Sequence, residues 1–360
     1  MPHLFDPLTL RSITLPNRIG IPPMCQYSAH DGLATDWHFV HYGSRAVGGA
    51  GVVIVEATAV LPEGRITPGD LGLWNDTQIE PLARVARFIR AHGAIPAIQL
   101  QHAGRKGGTG LGWQAQRSLA ASEGGWTTVA PSALAFGEGY AAPQALDESG
   151  IATVIDAFVA ATRRAEQAGF EIVEIHAAHG YLLHQFLSPL ANQRDDRWGG
   201  CFENRTRLVR EVTRAVRTAW PEALPLFIRL SATDWAEGGW NADETVQLCG
   251  KLKTLGVDLA DISTGGLVPN AVIPAGPGFQ TTFAARVRHE AGLPSAAVGL
   301  ITAPAQADHI VRSGQADLVL LGREILRDPY WPLHAAQTLG RPAVWPNQYL
   351  RAAPHGTTGR

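Results

Sequence analysis

The chain has 360 residues, of which 45% are hydrophobic and 17% are charged. This length suits a (β/α)8 barrel with insertions, and the apolar content allows a large core, which excludes intrinsic disorder as the main state. The 30 Lys and Arg residues nearly balance the 32 Asp and Glu residues, giving a net charge of −2. That balance excludes the basic surface of a nucleic-acid-binding protein and a membrane-seeking surface.

The three cysteines are Cys25, Cys201 and Cys249. An odd and sparse set of cysteines does not form a disulfide framework, so a reducing compartment is expected. The first residues lack the basic start and apolar run of a signal peptide, and no apolar stretch reaches the roughly 18 residues expected of a membrane span. We therefore expect a cytoplasmic protein without a membrane or nucleic-acid partner.

In chain order, the first predicted element is a β-hairpin at residues 5–18, a candidate lid over one end of the fold. Apolar runs and amphipathic segments alternate after it. The predicted strands are residues 20–24, 51–55, 95–100, 171–175, 226–230, 259–263, 296–298 and 318–321. The predicted helices include residues 79–92, 154–168, 205–220, 243–255 and 303–313.

Continuous apolar strands separated by helices indicate a parallel sheet covered by helices. Eight such units favour closure into a (β/α)8 TIM barrel, with an open doubly wound sheet as the alternative. Residues 107–147 are rich in Gly, Ala, Ser and Pro and have no periodicity, which predicts a cap over the barrel mouth between strands three and four. Without an internal repeat or a linker, residues 1–360 are predicted to form one domain.

The carboxyl ends of the strands carry the active site in a TIM barrel. The fourth predicted strand runs directly into His176, His179, Gly180 and Tyr181. Two imidazoles can donate to one substrate oxygen, and the phenol can hand over a proton. The pair could instead be a metal site or two satisfied core histidines. A metal site needs three or more ligands, and no carboxylate cluster stands at the strand ends, so no metal is expected.

Glycines follow the last two predicted strands, at Gly299 and at Gly322 beside Arg323. In barrels this corner commonly holds a phosphate, because glycines let backbone N–H groups approach the anion and an arginine adds a charged fork. The alternative is that these glycines only make tight turns. Neither a dinucleotide-binding G-x-G-x-x-G after a strand nor a P-loop is present, so a mononucleotide such as FMN suits the site best.

Three further strand residues have candidate roles at a flavin. The amide of Gln99 can pair with the pyrimidine edge, because it both donates and accepts. Arg229 could face the N1–C2=O side, where negative charge develops on reduction; the alternative is a structural salt bridge to a neighbouring strand. Cys25 has no paired base in the sequence, so it is read as a thiol that tunes a ring system, or as a small buried hydrophobe.

Together these residues match the motifs of a known family. The chain resembles the Old Yellow Enzyme family of FMN-dependent ene-reductases, and within it the bacterial subgroup that carries a cysteine over the flavin and includes xenobiotic reductases. The resemblance extends from Leu4 to about Arg351. The matching segments are PPMCQY at 22–27, VEATA at 55–59, QLQHAGRK at 99–106, EIHAAHGY at 174–181, FLSP at 186–189, GG at 199–200, ENR at 203–205, VGLIT at 298–302 and LGR at 321–323.

The resemblance implies a TIM barrel with FMN bound tightly but non-covalently at the strand ends. The residues implied to contact FMN are Pro23, Met24, Cys25, Ala57, Gln99, Arg229, Gly299, Gly322 and Arg323. It also implies that His176 and His179 bind the activating oxygen of the substrate and that Tyr181 donates the proton. Tyr27 is implied to close the substrate pocket, and Lys106 to lie near its entrance.

In this subgroup, an arginine near the C-terminus of one subunit reaches the active site of its neighbour. Arg351 is the matching residue, which implies a homodimer or a higher homo-oligomer. Residues 352–360 extend past the usual end of the family and are predicted to be a flexible tail.

The resulting hypothesis is a ping-pong reaction in which NADPH reduces FMN and leaves. An α,β-unsaturated carbonyl, an imide or a nitroalkene then accepts hydride from flavin N5 at its β-carbon, and Tyr181 protonates its α-carbon. Two rival hypotheses are a metal-dependent barrel hydrolase or aldolase that uses the histidine pair, and a flavin-binding protein for storage or sensing.

Overall fold

The computed structural model describes residues 1–354, in which eight parallel strands close into a barrel. The strands are β1 (Leu8–Leu10), β2 (Ile13–Leu15), β3 (Ile19–Ile21), β4 (Val52–Ala59), β5 (Ile95–Gln101), β6 (Val129–Ala130), β7 (Gln144–Ala145), β8 (Ile172–Ala177), β9 (Leu226–Ser231), β10 (Leu259–Ser263), β11 (Ser295–Val298) and β12 (Leu318–Leu320). Around the barrel the order is β3, β4, β5, β8, β9, β10, β11 and β12, and β12 pairs with β3. The predicted TIM barrel is confirmed.

Helices surround the barrel. They are α1 (Asp36–Val47), α2 (Ile79–Ala91), α3 (Glu148–Gln167), α4 (Leu182–Leu187), α5 (Phe202–Arg205), α6 (Arg207–Ala219), α7 (Ala242–Thr254), α8 (Thr281–Arg286), α9 (Pro304–Arg312), α10 (Arg323–Arg327) and α11 (Trp331–Thr338). Short 3-10 turns occupy Pro62–Gly64, Asp76–Gln78, Gly104–Lys106, Ala121–Glu123 and Asn347–Ala352, and a π-helical turn, Val287–Ala291, follows α8. Within residues 1–354, no helix is both long and apolar enough to cross a membrane.

The barrel interior is layered, because side chains two residues apart on a strand face the same side of the sheet. Where the strands begin, the interior is apolar and includes Ala97, Ile172, Phe227 and Leu259. Two residues further along the same strands stand Gln99, Glu174, Arg229 and Asp261, all buried. Two residues further again stand Gln101, His176, Ser231 and Ser263. From the start of the strands to their carboxyl ends, the interior thus changes from an apolar layer to a layer with charged side chains and then to a layer of uncharged hydrogen-bonding side chains.

The N-terminal hairpin closes the opposite end of the barrel. Strands β1 and β2 pair antiparallel, and Leu10 and Leu15 join the apolar layer at the start of the strands. The turn between them is fastened by Arg11, whose Nε lies 2.8 Å from the Asp258 carboxylate, and by the Ser12 N–H, which donates to the Ala223 carbonyl at 3.1 Å. The predicted hairpin lid is confirmed.

The predicted boundaries differ from the structure in three instructive places. Strand β3 ends at Ile21, three residues before the predicted end, because Pro22 and Pro23 have no N–H to donate to a ladder. Strand β8 continues to Ala177, so His176 lies within the strand rather than after it. The predicted helix at 205–220 corresponds to α6, Arg207–Ala219, and its first predicted residue, Arg205, ends the separate short helix α5.

Residues 107–147 connect β5 to α3 and form the predicted insertion, with one 3-10 turn and the two-residue strands β6 and β7. It is fastened to the loop after β4 through Arg65. The Arg65 guanidinium lies 5.3 Å from the Trp74 ring centre and 5.0 Å from the Trp126 ring centre, and Trp126 Nε1 donates to the Glu63 carbonyl at 2.9 Å. Cation–π contacts of this kind stabilise the cap against the barrel.

A substitution at Phe227 tests how much the apolar layer contributes to stability, because Phe227 is fully buried between the hairpin and the barrel strands. Phe227→Ala should lower the free energy of unfolding by about 3–5 kcal/mol, the usual cost of removing a buried aromatic ring and leaving a cavity. Urea unfolding followed by circular dichroism measures the change. Leu326→Ala is the matched control, because Leu326 is 44% exposed and should change stability little. Equal losses in both variants would contradict the layered interior.

Candidate active site

Three aromatic side chains meet at the carboxyl end of β8. The ring centres of His176 and His179 are 5.3 Å apart, and those of His176 and Tyr181 are 5.1 Å apart. His176 is the second-last residue of β8, and Tyr181 is the N-cap of α4. The chain turns between them at His179 and Gly180, which have φ values of 57° and 74°. The sequence motif is therefore one compact cluster of rings.

Gly180 is required at this turn for two reasons. Its positive φ favours glycine, and a Cβ at this position would lie 2.1 Å from the Gly266 carbonyl oxygen. The turn after β8 thus packs directly against the turn after β10. Because His179 and Tyr181 flank Gly180, this close approach fixes where both side chains can lie.

Hydrogen bonds set which nitrogen of each imidazole is available. His176 Nδ1 accepts from the Ala178 N–H at 3.3 Å, which leaves Nε2 as the protonated nitrogen of the neutral ring. His179 Nε2 lies 2.7 Å from Ser263 Oγ, and the His179 N–H donates to Ser231 Oγ at 2.9 Å. The free nitrogens of the pair are therefore Nε2 of His176 and Nδ1 of His179.

Burial keeps all three rings uncharged. Burial lowers the pKa of His176 and of His179 well below the usual imidazole range, and the nearby Arg229 lowers both further. Burial also raises the pKa of Tyr181 well above that of a free phenol. At neutral pH the cluster accordingly presents neutral imidazoles and a protonated hydroxyl, all of which can donate hydrogen bonds.

Lys106 supports the turn from one side. Its ammonium donates to the carbonyls of His179 and Gly266 at 2.8 and 2.9 Å, and it lies 5.1 Å from the Tyr181 ring centre. It also lies 4.5 Å from the ring centre of Phe136 in the cap. Burial, with help from the charge of Arg105, lowers the pKa of Lys106 to about 8. Lys106 thus connects the cap with both neighbouring turns of the candidate site.

Beneath the rings lies a buried polar layer. Gln99 Nε2 donates to Glu174 Oε1 at 2.8 Å, and Arg229 Nε lies 2.9 Å from Asp261 Oδ2. Asp261 is on the strand next to Arg229, so the salt bridge that the sequence allowed as an alternative is present, and it uses only one N–H of the guanidinium. The other oxygen of Glu174 has no hydrogen-bond partner within residues 1–354. This layer therefore keeps hydrogen-bonding capacity for a further group.

Burial of two carboxyl groups in this layer has a consequence for stability. Burial raises the pKa of Glu174 to about 8, assisted by the charge of Asp261 and opposed by Arg229. A carboxyl whose folded-state pKa lies above its unfolded value stabilises the fold at low pH and loses that contribution as the pH rises through the folded value. Glu174 should therefore lower the stability of the ligand-free protein between about pH 5 and pH 8, whereas the buried neutral His176 and His179, whose pKa values are lowered, add stability as the pH rises through the usual imidazole range.

Glu174→Gln should remove the Glu174 contribution, because an amide does not titrate. The unfolding free energy at pH 8 minus that at pH 5 should be higher in the variant than in the parent by about 1 kcal/mol or more. Urea unfolding of the ligand-free protein at both pH values measures it. Glu166→Gln on the exposed face of α3 is the control and should leave the slope unchanged. An unchanged slope in Glu174→Gln would mean that Glu174 does not titrate in this range.

The segment after β3 carries Cys25 and Tyr27. Burial raises the pKa of the Cys25 thiol well above its usual range, and the charges of Asp70 and Glu56 raise it further, so the group is a thiol rather than a thiolate. The Gln26 N–H donates to Glu56 Oε2 at 2.8 Å, which holds this segment against β4. Tyr27 has a φ of 52° and meets Trp113 of the cap edge to face at 5.9 Å.

Three further neighbours of Cys25 belong to this part of the site. Ala57 is buried in β4, whereas Pro23 and Met24 are partly exposed. Cys25 itself has intermediate exposure, and both of its predicted roles, a thiol that tunes a ring system and a small buried hydrophobe, stay predictions.

The two predicted phosphate-binding turns lie side by side, because β11 and β12 are adjacent in the barrel. Gly299 has a φ of 121°, and a Cβ there would lie 2.8 Å from Gln280 Nε2. Gly322 precedes α10, and a Cβ on it would meet only open space. Arg323 is exposed beside it. The backbone of Gly322 is therefore accessible to a ligand at this corner.

Several functional neighbours were not singled out from the sequence. They are Glu56, Ser231, Asp261, Ser263 and Gly266. For Ser231, Asp261 and Ser263 the signal was the period of two along each strand, which places polar side chains in the barrel interior. Glu56 instead contacts Tyr42 of α1, and Gly266 lies beyond the end of β10, so this period does not identify either residue. In the part of the chain from 1 to 354, no group of three or more His, Cys, Asp or Glu side chains is arranged to hold a metal ion.

Comparison with known proteins gives a consistent result. A model of the NADH:flavin oxidoreductase / NADH oxidase family matches residues 3–341. An NADPH dehydrogenase from Geobacillus thermodenitrificans (strain NG80-2) is 46% identical over 350 residues, covering 97% of this chain and 98% of the relative. An NADPH dehydrogenase from Listeria innocua serovar 6a is 46% identical over 354 residues, covering 98% of this chain and 99% of the relative.

Solved structures show the same likeness in three dimensions. Morphinone reductase superposes with a TM-score of 0.79 at 28% identity, over 96% of this chain and 91% of the other. The Old Yellow Enzyme homologue from Zymomonas mobilis superposes with a TM-score of 0.79 at 27% identity, over 96% of this chain and 94% of the other.

Proposed function

The chain belongs to the NADH:flavin oxidoreductase / NADH oxidase family and resembles Old Yellow Enzymes, and from this premise we propose that it is an NAD(P)H-dependent FMN ene-reductase. As a family member it is a flavin oxidoreductase. The finer proposal is that it reduces activated C=C bonds of α,β-unsaturated carbonyls, imides or nitroalkenes. One observation carries it: two neutral imidazoles and a protonated phenol meet at a strand end.

The residues at the strand ends fit FMN. Gln99 uses one amide N–H on Glu174, which leaves its carbonyl and a second N–H for the pyrimidine edge. Arg229 keeps guanidinium N–H groups beyond the one paired with Asp261. The open backbone at Gly322 suits a phosphate. We assign tight, non-covalent FMN binding to Pro23, Met24, Cys25, Ala57, Gln99, Arg229, Gly299, Gly322 and Arg323.

FMN, when bound, carries the hydride from NADPH to the substrate. His176 Nε2 and His179 Nδ1 donate hydrogen bonds to the activating oxygen of the substrate and stabilise the negative charge that develops there. Tyr181 holds the proton that goes to the α-carbon, and its raised pKa keeps that proton in place until it is needed. Tyr27 and Lys106 complete the substrate pocket, and NADPH acts as a transient reductant.

We further propose a homodimer or higher homo-oligomer in which Arg351 reaches the pocket of a neighbouring subunit. Arg351 is exposed in the 3-10 turn Asn347–Ala352, and the ring centre of Tyr349 in that turn lies 6.2 Å from that of Tyr330. The predicted flexible tail falls mainly on residues 355–360, which lie outside the described residues. The cytoplasmic location stays a prediction.

The purified protein tests this function directly. It should be yellow, release about one FMN per chain on denaturation, and oxidise NADPH faster when cyclohexenone or maleimide is added. A colourless protein that gains no chromophore when incubated with FMN would contradict flavin binding. A yellow protein whose NADPH oxidation ignores both acceptors would contradict the ene-reductase assignment and favour storage or sensing.

Cys25→Ala should shift the midpoint potential of the bound flavin while leaving the fold intact. The reason is that the thiol lies in the segment assigned to the flavin, where a polarisable group alters the relative stability of the two redox states. We expect a shift on the order of 30 mV, which for a two-electron couple equals about 1.4 kcal/mol. Dye-coupled reductive titration measures it. The exposed Cys201 provides the control, Cys201→Ala. An unchanged potential in Cys25→Ala would mean that Cys25 only fills space.

A further inference from the structure

A further histidine, His184, lies behind the candidate active site and makes two contacts that have no part in the proposed reaction. His184 in α4 and Asp234 in the loop after β9 are both fully buried. His184 Nε2 lies 2.9 Å from Asp234 Oδ1. On the other side of the ring, His184 Nδ1 accepts a hydrogen bond from the Gly180 N–H at 2.9 Å. One imidazole thus connects a buried carboxylate with the backbone of the turn that carries His179 and Tyr181.

These contacts determine the state of His184. Because Nδ1 accepts the backbone N–H, the ring proton resides on Nε2 and points to Asp234. The other oxygen of Asp234 accepts from Ser188 Oγ at 2.6 Å and from the Trp240 N–H at 2.8 Å. Burial alone would raise the pKa of Asp234, but its contact with His184 and these hydrogen bonds together lower it. Asp234 is therefore a fixed anion that holds His184 in one tautomer.

The Gly180 peptide depends on this arrangement. Its N–H is buried and has His184 Nδ1 as its acceptor, and its carbonyl accepts from Gln185 Nε2 at 2.7 Å. A buried N–H that loses its acceptor is costly, so the turn would change its conformation rather than leave the group unpaired. Any such change would move His179 and Tyr181, which are bonded to either side of Gly180.

We infer that His184 is a positioning residue: its Nδ1 fixes the Gly180 peptide and thereby the orientation of the His179 and Tyr181 side chains, while Asp234 fixes the tautomer of His184. The inference rests on the proposed function, because the orientation matters only if these side chains act on a substrate. It assigns a different role to each nitrogen of His184. The contact at Nδ1 affects ligand binding and proton delivery, and the contact at Nε2 affects the stability of the fold.

Two amide substitutions separate these duties. In His184→Asn, the amide oxygen occupies the place of Nδ1 and can still accept from Gly180, but the contact with Asp234 is lost. In His184→Gln, the longer amide occupies the place of Nε2 and can still donate to Asp234, but the Gly180 N–H loses its acceptor. Both variants are uncharged, so they form a matched pair. The probe is 4-hydroxybenzaldehyde, titrated into the FMN-loaded enzyme and followed by the long-wavelength absorbance of a phenolate stacked on oxidised flavin.

We expect His184→Gln to raise the dissociation constant of this phenol about tenfold or more, because the turn changes its conformation to pair the Gly180 N–H again and thereby moves His179 and Tyr181. That change limits the loss of stability, so the thermal unfolding midpoint should stay closer to that of the parent than in His184→Asn. We expect His184→Asn to bind the phenol nearly as the parent does but to unfold several degrees lower. Reduction by NADPH should be unchanged in both. If binding and unfolding shift in parallel in the two variants, or if His184→Gln binds the phenol normally, the inference is wrong.

Two further measurements keep the test decisive. If His184→Asn cannot be purified, Ser188→Ala takes its place, because it removes a hydrogen bond from Asp234 and leaves the contact between His184 Nδ1 and the Gly180 N–H. This variant should have a lower unfolding midpoint and unchanged phenol binding. Weakened phenol binding would count against the inference. The parent enzyme must itself give the absorbance band. If the parent enzyme gives no such band, the proposed function is contradicted. If the parent gives the band and the variants bind the phenol as the parent does, only the positioning role is contradicted.

Discussion

Tyr181→Phe should slow the oxidative half-reaction with cyclohexenone by about 10²-fold or more, the lower end of the contribution usual for a positioned general acid. The substitution removes one oxygen atom and keeps the ring that lies 5.1 Å from His176. Binding of the enone should therefore change little, and the loss should fall on the rate constant. Reduction by NADPH needs no proton from Tyr181 and should proceed as before.

The electrostatic surroundings of Tyr181 determine the pH range over which it can donate a proton. Burial raises its pKa well above the usual value, so the hydroxyl is protonated throughout the neutral and mildly alkaline range. Lys106 lies 5.1 Å from the ring centre and offers a positive charge to a developing phenolate. As the pH is raised, the oxidative rate of the parent enzyme should therefore not fall through loss of the Tyr181 proton until the pH exceeds the pKa of a free phenol, about 10.

Stopped-flow absorbance separates the two half-reactions and gives this rate constant directly. Tyr140→Phe is the matched control, because Tyr140 lies in the cap with its ring centre 5.0 Å from that of Phe136. It loses the same atom and should leave both half-reactions unchanged. An oxidative rate for Tyr181→Phe equal to that of the parent would identify solvent as the proton donor.

The layers of the barrel could be predicted from the sequence because they depend only on local period. Once residues 226–230 are read as a buried parallel strand, alternation alone places Phe227 and Arg229 on the same side. The same step on the neighbouring strand relates Leu259 to Asp261. The cluster of His176, His179 and Tyr181 was also predictable, since six consecutive residues cannot separate far. Local sequence therefore specified the main chemical groups of the candidate site.

The contacts that orient those groups could not be predicted, because they join distant segments. Ser263 is 84 residues from His179, and Lys106 is 73 residues from it. Which strand-end turns meet depends on the stagger between neighbouring strands, and the alternation within one strand does not encode it. The close approach of Gly180 to the Gly266 carbonyl is of the same kind. The sequence thus indicated the reacting groups but left their supports unassigned.

Helix α1 shows a different reason for a missed element. Its sequence places Trp37 and Val40 on the exposed side, at 57% and 63% exposure, while His38 and His41 are buried. This reverses the usual polarity of an amphipathic helix and hides its period. His38 Nδ1 accepts from the Thr35 N–H at 3.0 Å, so a buried histidine contributes to the start of the helix. A pattern based on apolar side chains alone cannot detect such a helix.

Replacing both His176 and His179 with alanine should weaken binding of 4-hydroxybenzaldehyde by about 10²-fold or more and slow the oxidative half-reaction by a similar factor, as expected when the donors to a developing oxyanion are removed. The two donors act from different nitrogens. His176 offers Nε2, because its Nδ1 accepts from Ala178. His179 offers Nδ1, which requires that the Ser263 hydroxyl donates its proton to His179 Nε2 at 2.7 Å rather than to Gln280 Oε1 at 3.4 Å.

Because the two histidines donate from different ring nitrogens, amide substitutions can be chosen to restore phenol binding. Gln at position 176 carries its amide N–H near the place of Nε2, and Asn at position 179 carries one near the place of Nδ1. The double variant His176→Gln/His179→Asn should therefore recover part of the phenol affinity that the double alanine variant loses. Absorbance titration of the FMN-loaded proteins measures both, and circular dichroism checks that each is folded. If the double alanine variant binds the phenol as tightly as the parent, the imidazoles are structural; if the reversed pair, His176→Asn/His179→Gln, recovers as much affinity, the assignment of nitrogens is wrong.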